Sequence, residues 1–286
     1  MKINLIASPI KDQGMTVARQ TASLLTQWGG TVWVDETAAK LFADVDVVAA
    51  PKEYCMKDAD FAIAIGGDGT FLKAAALAAK ERVAILGINL GHTGFLTEVE
   101  PGELQLLRRL FEGDYATEQR MMLQASVRRG GRTHFRGLAL NDVVFHRGMV
   151  SRLLTMQVLC NGGFISTIRG DGLTISTPTG STGYSLSAGG PIIDPKTSCI
   201  TMVPVCSHSL ASRTIIFNGA SKLTITPEME DGRDAYLSLD GAASFLLLQG
   251  DVVMVSKASE YVKVVRLKPD NFYEILRNKI KEGDGI

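Results

Sequence analysis

Gly66-Gly67-Asp68-Gly69-Thr70 stands directly after the apolar run Phe61-Ala62-Ile63-Ala64-Ile65 and directly before an Ala-rich segment at 71–80. That order reads as a buried strand, a glycine turn and a helix start. Such a turn gathers free backbone N–H groups and the positive end of a helix dipole, which together favour a phosphate. The carboxylate is the unusual member. Asp68 beside a phosphate is repulsive unless it holds a metal or takes a proton. Lys73, one helical turn on, could add positive charge.

A second chemistry-bearing stretch runs over 169–191. Ser, Thr and Gly dominate it, and Tyr184 is its single aromatic residue. Many hydroxyl and backbone hydrogen bonds in a compact space suit a polyhydroxylated, phosphorylated ligand, and Tyr184 could stack on a base. The same composition also reads as a tight β-turn region with ordinary hydroxyl residues. Asn141-Asp142 sets an amide beside a carboxylate, a pair able to bond both edges of a ribose diol or to form a plain Asx turn. His92 sits in a loop after a strand, as a cleft residue or simply a polar loop histidine. Phe95 is either core or the wall of a base pocket. The turn at 231–234 reads as solvated.

The elements that must hold these residues fall into two textures. Strand patterns at 2–7, 31–34, 61–65 and 83–88 alternate with helix patterns at 16–28 and 71–80. Alternation of this kind argues for a parallel α/β sheet, with ligands beyond the carboxyl ends of its strands. Both 66–70 and 89–94 are such ends. From about residue 120 short β-rich runs follow one another, at 123–128, 138–146, 153–160, 173–177, 215–217, 223–226, 236–239, 252–256 and 261–267, punctuated by Gly, Asn and Asp. We therefore expect an α/β N-terminal domain with a parallel sheet (1–100, completed by 268–286) and an all-β C-terminal domain (101–267). A short helix at 101–113 links them, and a C-terminal helix at 271–281 packs back on the first domain.

Composition removes several function classes. The 286 residues are 45% hydrophobic, enough for a proper core, and 30 basic residues balance 30 acidic ones. A general electrostatic role on nucleic acid or membrane has no support. No stretch approaches the roughly 18 apolar residues of a spanning helix, and the start of the chain reads as a strand rather than a signal peptide. Cys55, Cys160, Cys199 and Cys206 are widely spaced with no CxxC pair, so buried reduced thiols are expected rather than zinc. The N-terminal strand ends in Ala7-Ser8-Pro9 and not in GxGxxG, which weakens a dehydrogenase reading. A soluble, cytoplasmic protein is expected.

The glycine-aspartate loop, Asn89-Leu90-Gly91 with Gly94-Phe95-Leu96, Asn141-Asp142, and Asp171-Gly172 through Thr177-Pro178-Thr179-Gly180-Ser181-Thr182-Gly183-Tyr184-Ser185-Leu186-Ser187 occur in that order. Together they resemble the NAD kinases (ATP-NAD or polyphosphate-NAD kinases) over about residues 3–270. The loop alone is shared with lipid kinases, sphingosine kinases and phosphofructokinases; the long Thr-Pro-Thr-Gly-Ser-Thr-Gly-Tyr segment is the specific part. The resemblance implies phosphorylation of the adenosine-ribose 2′-hydroxyl of NAD to give NADP, with ATP, another triphosphate or polyphosphate as donor. It implies Asp68 as general base or orienting group, and Gly67, Gly69 and Thr70 as phosphate-binding N–H groups.

Other roles carry over in the same way. Asn141 and Asp142 would grip NAD, although the family usually has Asn-Glu, so Asp142 is one methylene shorter. Arg152, Arg169 and Asp171 match binding positions. Thr182, Gly183, Tyr184, Ser185, Leu186 and Ser187 match the segment lining the nucleotide, and Phe95 matches a wall of the adenine pocket. Asp240-Gly241 resembles a motif that normally continues with Gln; here Ala242 follows. The resemblance further implies a divalent cation, Mg²⁺, carried mainly on donor phosphates with no dedicated protein cage, and a homo-oligomer, dimer or tetramer, built through the β domain. Two other readings share features of the chain: a lipid or sugar kinase with the same loop, and a non-catalytic NAD(H)-sensing protein. The first predicts no nucleotide-lining Thr-Gly-Tyr stretch; the second predicts loss of Asp68.

Overall fold

The computed structural model describes residues 1–91, 94–148, 153–209, 212–228, 235–242, 244–269 and 272–283. His92, Arg152 and the turn at 231–234 lie outside them. In the first part of the chain, β1 (Lys2–Ala7), α1 (Thr16–Gln27), β2 (Thr31–Asp35), β3 (Val48–Ala50), α2 (Lys52–Met56), β4 (Phe61–Gly66), α3 (Asp68–Glu81), β5 (Ala84–Asn89) and α4 (Arg108–Glu112) follow in turn. The strands pair in parallel in the order β5-β4-β1-β2-β3. Every residue of β4 is buried, as expected for a strand covered on both faces of a parallel sheet. The helix α3 begins at Asp68, three residues before the expected start, so the acid belongs to its first turn. Its Phe71, Ala74, Ala75, Ala78 and Ala79 are buried, the 3.6-residue period that lets a small-residue face lie flat on a sheet.

Among its described residues the second part is β apart from a 3₁₀ turn and one short helix. It comprises β6 (Ala116–Arg129), β7 (Arg132–Ala139), β8 (Asp142–Arg147), β9 (Leu154–Cys160), β10 (Gly163–Gly170), β11 (Gly172–Ser176), α5 (Tyr184–Ser187), β12 (Cys199–Val205), β13 (Ile215–Asn218), β14 (Lys222–Glu228), β15 (Ala235–Leu239), β16 (Phe245–Leu247) and β17 (Val252–Arg266). One sheet runs β13-β12-β11-β8-β15-β16; another carries β10-β9-β14-β17 and the β6–β7 hairpin. Phe145, Ile175, Met202 and Leu237 from the first meet Val127, Met156, Val158, Ile225 and Val255 from the second in one core, the interleaving typical of a sandwich. The expected run at 138–146 is two strands broken at Leu140-Asn141, and the expected pair at 252–256 and 261–267 is one strand. The closing helix is α6 (Phe272–Gly283).

Two compact units result: Met1–Gln119 with Val262–Ile286, and Arg120–Tyr261. The expected boundary at residue 100 differs because the segment after it stays with the first unit. A 3₁₀ stretch at Pro101–Leu107 and α4 bury Leu104, Leu107 and Leu110 among Ile3, Leu86 and Ile88. The return of the chain is fastened by Glu98. Its carboxylate accepts the N–H groups of Leu267 (2.8 Å) and Lys268 (2.6 Å) and pairs with Arg266 at 3.1 Å.

The start of α1 has no side-chain cap at Met15. The buried carboxylate of Asp12 substitutes for one, accepting the N–H groups of Val17 (3.1 Å) and Ala18 (2.8 Å). Asp12→Ala leaves both donors unpaired and is expected to cost about 1–2 kcal/mol, the range measured for lost N-caps. Urea denaturation checks this; a cost below about 0.3 kcal/mol would show that water replaces the carboxylate fully.

Candidate functional site

In the first unit the strand β4 delivers Gly66 and Gly67 to the sheet edge, and α3 starts at once. The N–H groups of Thr70 and Phe71 turn back to the Gly67 carbonyl (2.9 and 3.3 Å). The N–H groups that open α3 have no intrahelical acceptor and are left for a ligand. A Cβ at Gly67 or Gly69 would meet nothing within 4 Å, so the space over the turn is open. Lys73 is exposed on the next turn of the same helix.

The Asp68 carboxylate is not loose in this opening. Oδ2 accepts the N–H of Phe95 (3.0 Å) and Oδ1 that of Leu96 (3.2 Å), with the Thr97 hydroxyl at 3.5 Å. The loop after β5 therefore grips the acid that stands after β4. Gly94 makes this approach possible: a Cβ there would overlap the carboxylate, 2.9 Å from its Cγ. The two expected strand ends thus meet through one side chain. Phe95 is half-buried, its ring 5.9 Å from that of Phe272 and 5.0 Å below the Lys279 ammonium. Glycine 94 and Thr97 were not among the expected site residues; the signal was the Gly-Phe-Leu-Thr run itself.

In the second unit the turn between β7 and β8 presents Asn141 and Asp142. Asp240, at the end of β15 with a left-handed backbone (φ 49), holds that turn. Its carboxylate accepts the N–H groups of Leu140 (2.7 Å), Asn141 (2.8 Å) and Asp142 (3.0 Å), and its own N–H returns to the Asp142 carbonyl (3.0 Å). The motif at 177–187 folds as a 3₁₀ turn (Thr179–Thr182) and α5, and packs on the same place. Gly180 sits so close to Asn141 that a Cβ would lie 2.6 Å from its Cα. Three hydroxyls of the motif are spent on backbone carbonyls: Thr177 on that of Leu140, Ser181 on that of Pro178, Thr182 on that of Thr179. What remains for a ligand is different from the hydroxyl array the composition suggested. The buried Oδ1 of Asn141 and the Ser185 and Thr179 hydroxyls have no partner among the described residues. Tyr184 is 45% exposed, and Leu186 and Ser187 are also exposed, while Ser185 is buried. Gly183 approaches the Asn141 amide nitrogen.

Asp171 joins this group with a partner that the sequence reading missed. Arg147 Nε donates to its Oδ1 at 2.8 Å. Arg169, two residues away, is exposed, and its carbonyl accepts the His208 N–H. Burial pushes the Tyr184 phenol up, with the charges of Cys206, Asp142 and Asp171 adding to it. Asn141, Asp142, Asp171 and 182–187 are thus one group on the second unit; Asp68, 67–70, Lys73 and Phe95 are another on the first.

Burial, followed by the charge of Asp240, raises the Asp142 carboxyl to about 7. A folded-state value above the unfolded one, ~3.9, means the folded protein holds the extra proton between them. Stability then falls as pH rises from about 4 to about 7. Asp142→Asn removes this contribution and is expected to stabilise the protein more at pH 7.5 than at pH 5; equal effects at both, measured by urea denaturation, would refute it.

Comparison with known proteins follows the same division. Residues 3–115 match the ATP-NAD kinase N-terminal domain and residues 140–267 the ATP-NAD kinase C-terminal domain. The NAD kinase of Citrifermentans bemidjiense is 36% identical over 285 residues, 99% of each chain. That of Geobacter sulfurreducens is 43% identical over 227 residues, 79% of this chain and 80% of its own. Among solved structures, yeast NADH kinase complexed with NADH superposes with a TM-score of 0.87 at 23% identity, covering 96% of this chain and 86% of that one. An NAD kinase from Archaeoglobus fulgidus in complex with ATP gives 0.75 at 23% identity, covering 98% and 99%.

Proposed function

The chain belongs to the ATP-NAD kinase family, and we propose that it moves the terminal phosphoryl group of ATP to the 2′-hydroxyl of the adenosine ribose of NAD, with Asp68 taking the hydroxyl proton. It is an enzyme, a phosphotransferase that makes NADP from NAD. The observation that carries the residue-level reading is the fixed Asp68 carboxylate at the first turn of α3, beside unpaired N–H groups.

A ribose hydroxyl is a weak nucleophile at neutral pH. It needs a base within hydrogen-bond reach and compensation for the charge on the phosphoryl group. Oδ1 takes the Leu96 N–H and the Thr97 hydroxyl, while Oδ2 takes the Phe95 N–H alone and keeps a further lone pair, so the acid is oriented and still able to accept a proton. Gly67 and Gly69 offer N–H groups for the phosphate, with Lys73 one turn away; the Thr70 N–H, expected there as well, is taken by the Gly67 carbonyl. On the NAD side, Asn141 Oδ1 is an acceptor awaiting a donor, Tyr184 offers a ring face, and Asp142, Arg169, Asp171 and the 182–187 segment line the nucleotide. Arg152 belongs to the same reading.

The chemistry calls for a divalent cation, Mg²⁺, to neutralise charge on the donor phosphates. Mg²⁺ would be carried mainly by phosphate oxygens and water. Four free cysteines suit a reducing compartment, and no helix among the described residues is long and apolar enough to cross a membrane; we assign the protein to the cytoplasm. A homo-oligomer formed through the β unit belongs to the same reading.

Purified protein with Mg²⁺, ATP and NAD, read with an NADP-specific dehydrogenase, should give product. Asp68→Asn should lower turnover by about 10²–10⁴ with NAD affinity little changed; an active variant would remove Asp68 from proton transfer. Tyr184→Ala should weaken NAD binding about tenfold, near the upper worth of one aromatic stack, and leave the KM for ATP alone. A change in the ATP KM only would move Tyr184 to the donor side.

A further inference from the structure

Asp68 and the glycine loop stand at the carboxyl ends of β4 and β5. The opposite edge of the same sheet opens into a cavity of about 650 Å³. Phe61, Ala84 and Lys263 line it as one row across β4, β5 and β17. Phe61 opens β4 and Ala84 opens β5, so this is the amino end of the sheet. Ligands of open parallel sheets take the carboxyl ends. From Phe61 to Gly66 is five residue rises, about 17 Å, so the phosphoryl transfer described above does not use this edge. The volume is nevertheless that of a small-molecule site, roughly 300–1,000 Å³.

We propose that this cleft is a second ligand site, for a small aromatic anion, separate from the reacting groups. Three observations carry it. First, its cations are unpaired. The side chains of Arg82 and Lys263 have no acceptor among the described residues. The one acid among the described lining residues, Asp60, spends its Oδ2 on the Lys2 N–H at 2.7 Å. Positive charge is therefore in surplus, and a guanidinium fork matches a carboxylate or a phosphate. Arg82 ends α3 with a left-handed backbone (φ 58), its N–H on the Ala79 carbonyl at 3.2 Å. Gly or Asn fits that conformation more easily, and Lys80 already sets a cation in the last turn against the helix dipole.

Second, the walls between these cations are apolar and aromatic. Leu110 and Phe61 are buried, and Tyr115 stands edge to face on Phe61, ring centroids 5.3 Å apart at 85°. An inorganic ion would meet the cations and leave these walls wet. A flat apolar body carrying one anionic head satisfies both, since ring burial supplies the hydrophobic term and the cations pair the charge. Third, the cleft touches both segments by which the chain passes between its units. The chain leaves the first unit after Gln119 and returns at Val262. Thr117 lies on the outgoing strand β6 and Lys263 on the returning strand β17, and these two strands pair. A ligand held by Thr117 and Lys263 ties the outgoing segment to the returning one.

The test is calorimetric titration of the full chain with 1-naphthyl phosphate and with 1-naphthoate, joined to hydrogen exchange of the saturated protein. The wild type should bind at least one of them with a Kd of about 1 mM or tighter, an ordinary affinity for a ligand of this size. The stronger of the two identifies the head group. Arg82→Asn, which suits the left-handed backbone, and Lys263→Gln should each raise that Kd roughly tenfold or more, the worth of one charged hydrogen bond. A urea midpoint shared with the wild type shows that both variants fold. The uncharged 1-naphthalenemethanol should bind more weakly by a similar factor. Exchange should slow over 110–117, and saturating NAD and ADP should not displace the probe. Absence of binding to the wild type, an unchanged Kd in both variants, displacement by NAD or ADP, or protection confined to 66–70 would each overturn the proposal.

Discussion

The first unit turns on one carboxylate accepting two backbone N–H groups. Asp68 enters at the start of a helix, and the loop that grips it comes from the next strand. Joined through Asp68, the helix start and the loop define a fixed acceptor beside a fixed set of donors. The parallel sheet exists, in functional terms, to bring these two strand ends to one edge: β4 and β5 pair in register from Phe61–Ala84 to Gly66–Asn89. Gly94 follows as a necessity, because any side chain there would compete with the acid for the same space.

The second unit solves a similar problem with the roles reversed. Its carboxylate anchor, Asp240, holds backbone so that other side chains face the ligand. Three N–H groups on one half-buried acid fix the turn at 140–142, and the close seat of Gly180 against Asn141 fixes the motif beside it. Burying an acid in this way carries a desolvation cost, visible in the raised titration of both Asp142 and Asp240. The cost is accepted where the geometry matters. An apolar residue at 240 would avoid it and leave three N–H groups unpaired.

Much of this was legible in the chain. Runs such as Phe61-Ala62-Ile63-Ala64-Ile65 announce buried parallel strands because both of their faces are covered. The glycine-aspartate loop announces a helix start because little else places glycine, acid and glycine after a strand. What stayed hidden was pairing that depends on contacts distant in sequence. Half of β10 is exposed, so its Gly163–Gly170 pattern carries little apolar alternation. The boundary near residue 100 misled because Leu104, Leu107 and Leu110 look like a linker helix until the core they fill is known. Arg147 gave no local sign, and Asp240 showed only as part of a motif without its role, since each acts on residues 24 and about 100 positions away.

The grip of Glu98 on Arg266, Leu267 and Lys268 makes the first unit discontinuous along the chain. A ribosome releases the polypeptide from its N-terminus, and domains generally fold as units. The parallel sheet is therefore made first and finished last: the whole of the β unit, Arg120–Tyr261, is already synthesised when the strand that completes the sheet beside β5 emerges. The nascent chain must keep a nearly complete α/β core waiting, with an acid that has no cation, until the last twenty-five residues arrive. Catalytic competence is thus a property acquired at the end of translation, and a premature stop after 261 yields an intact β unit beside an open sheet.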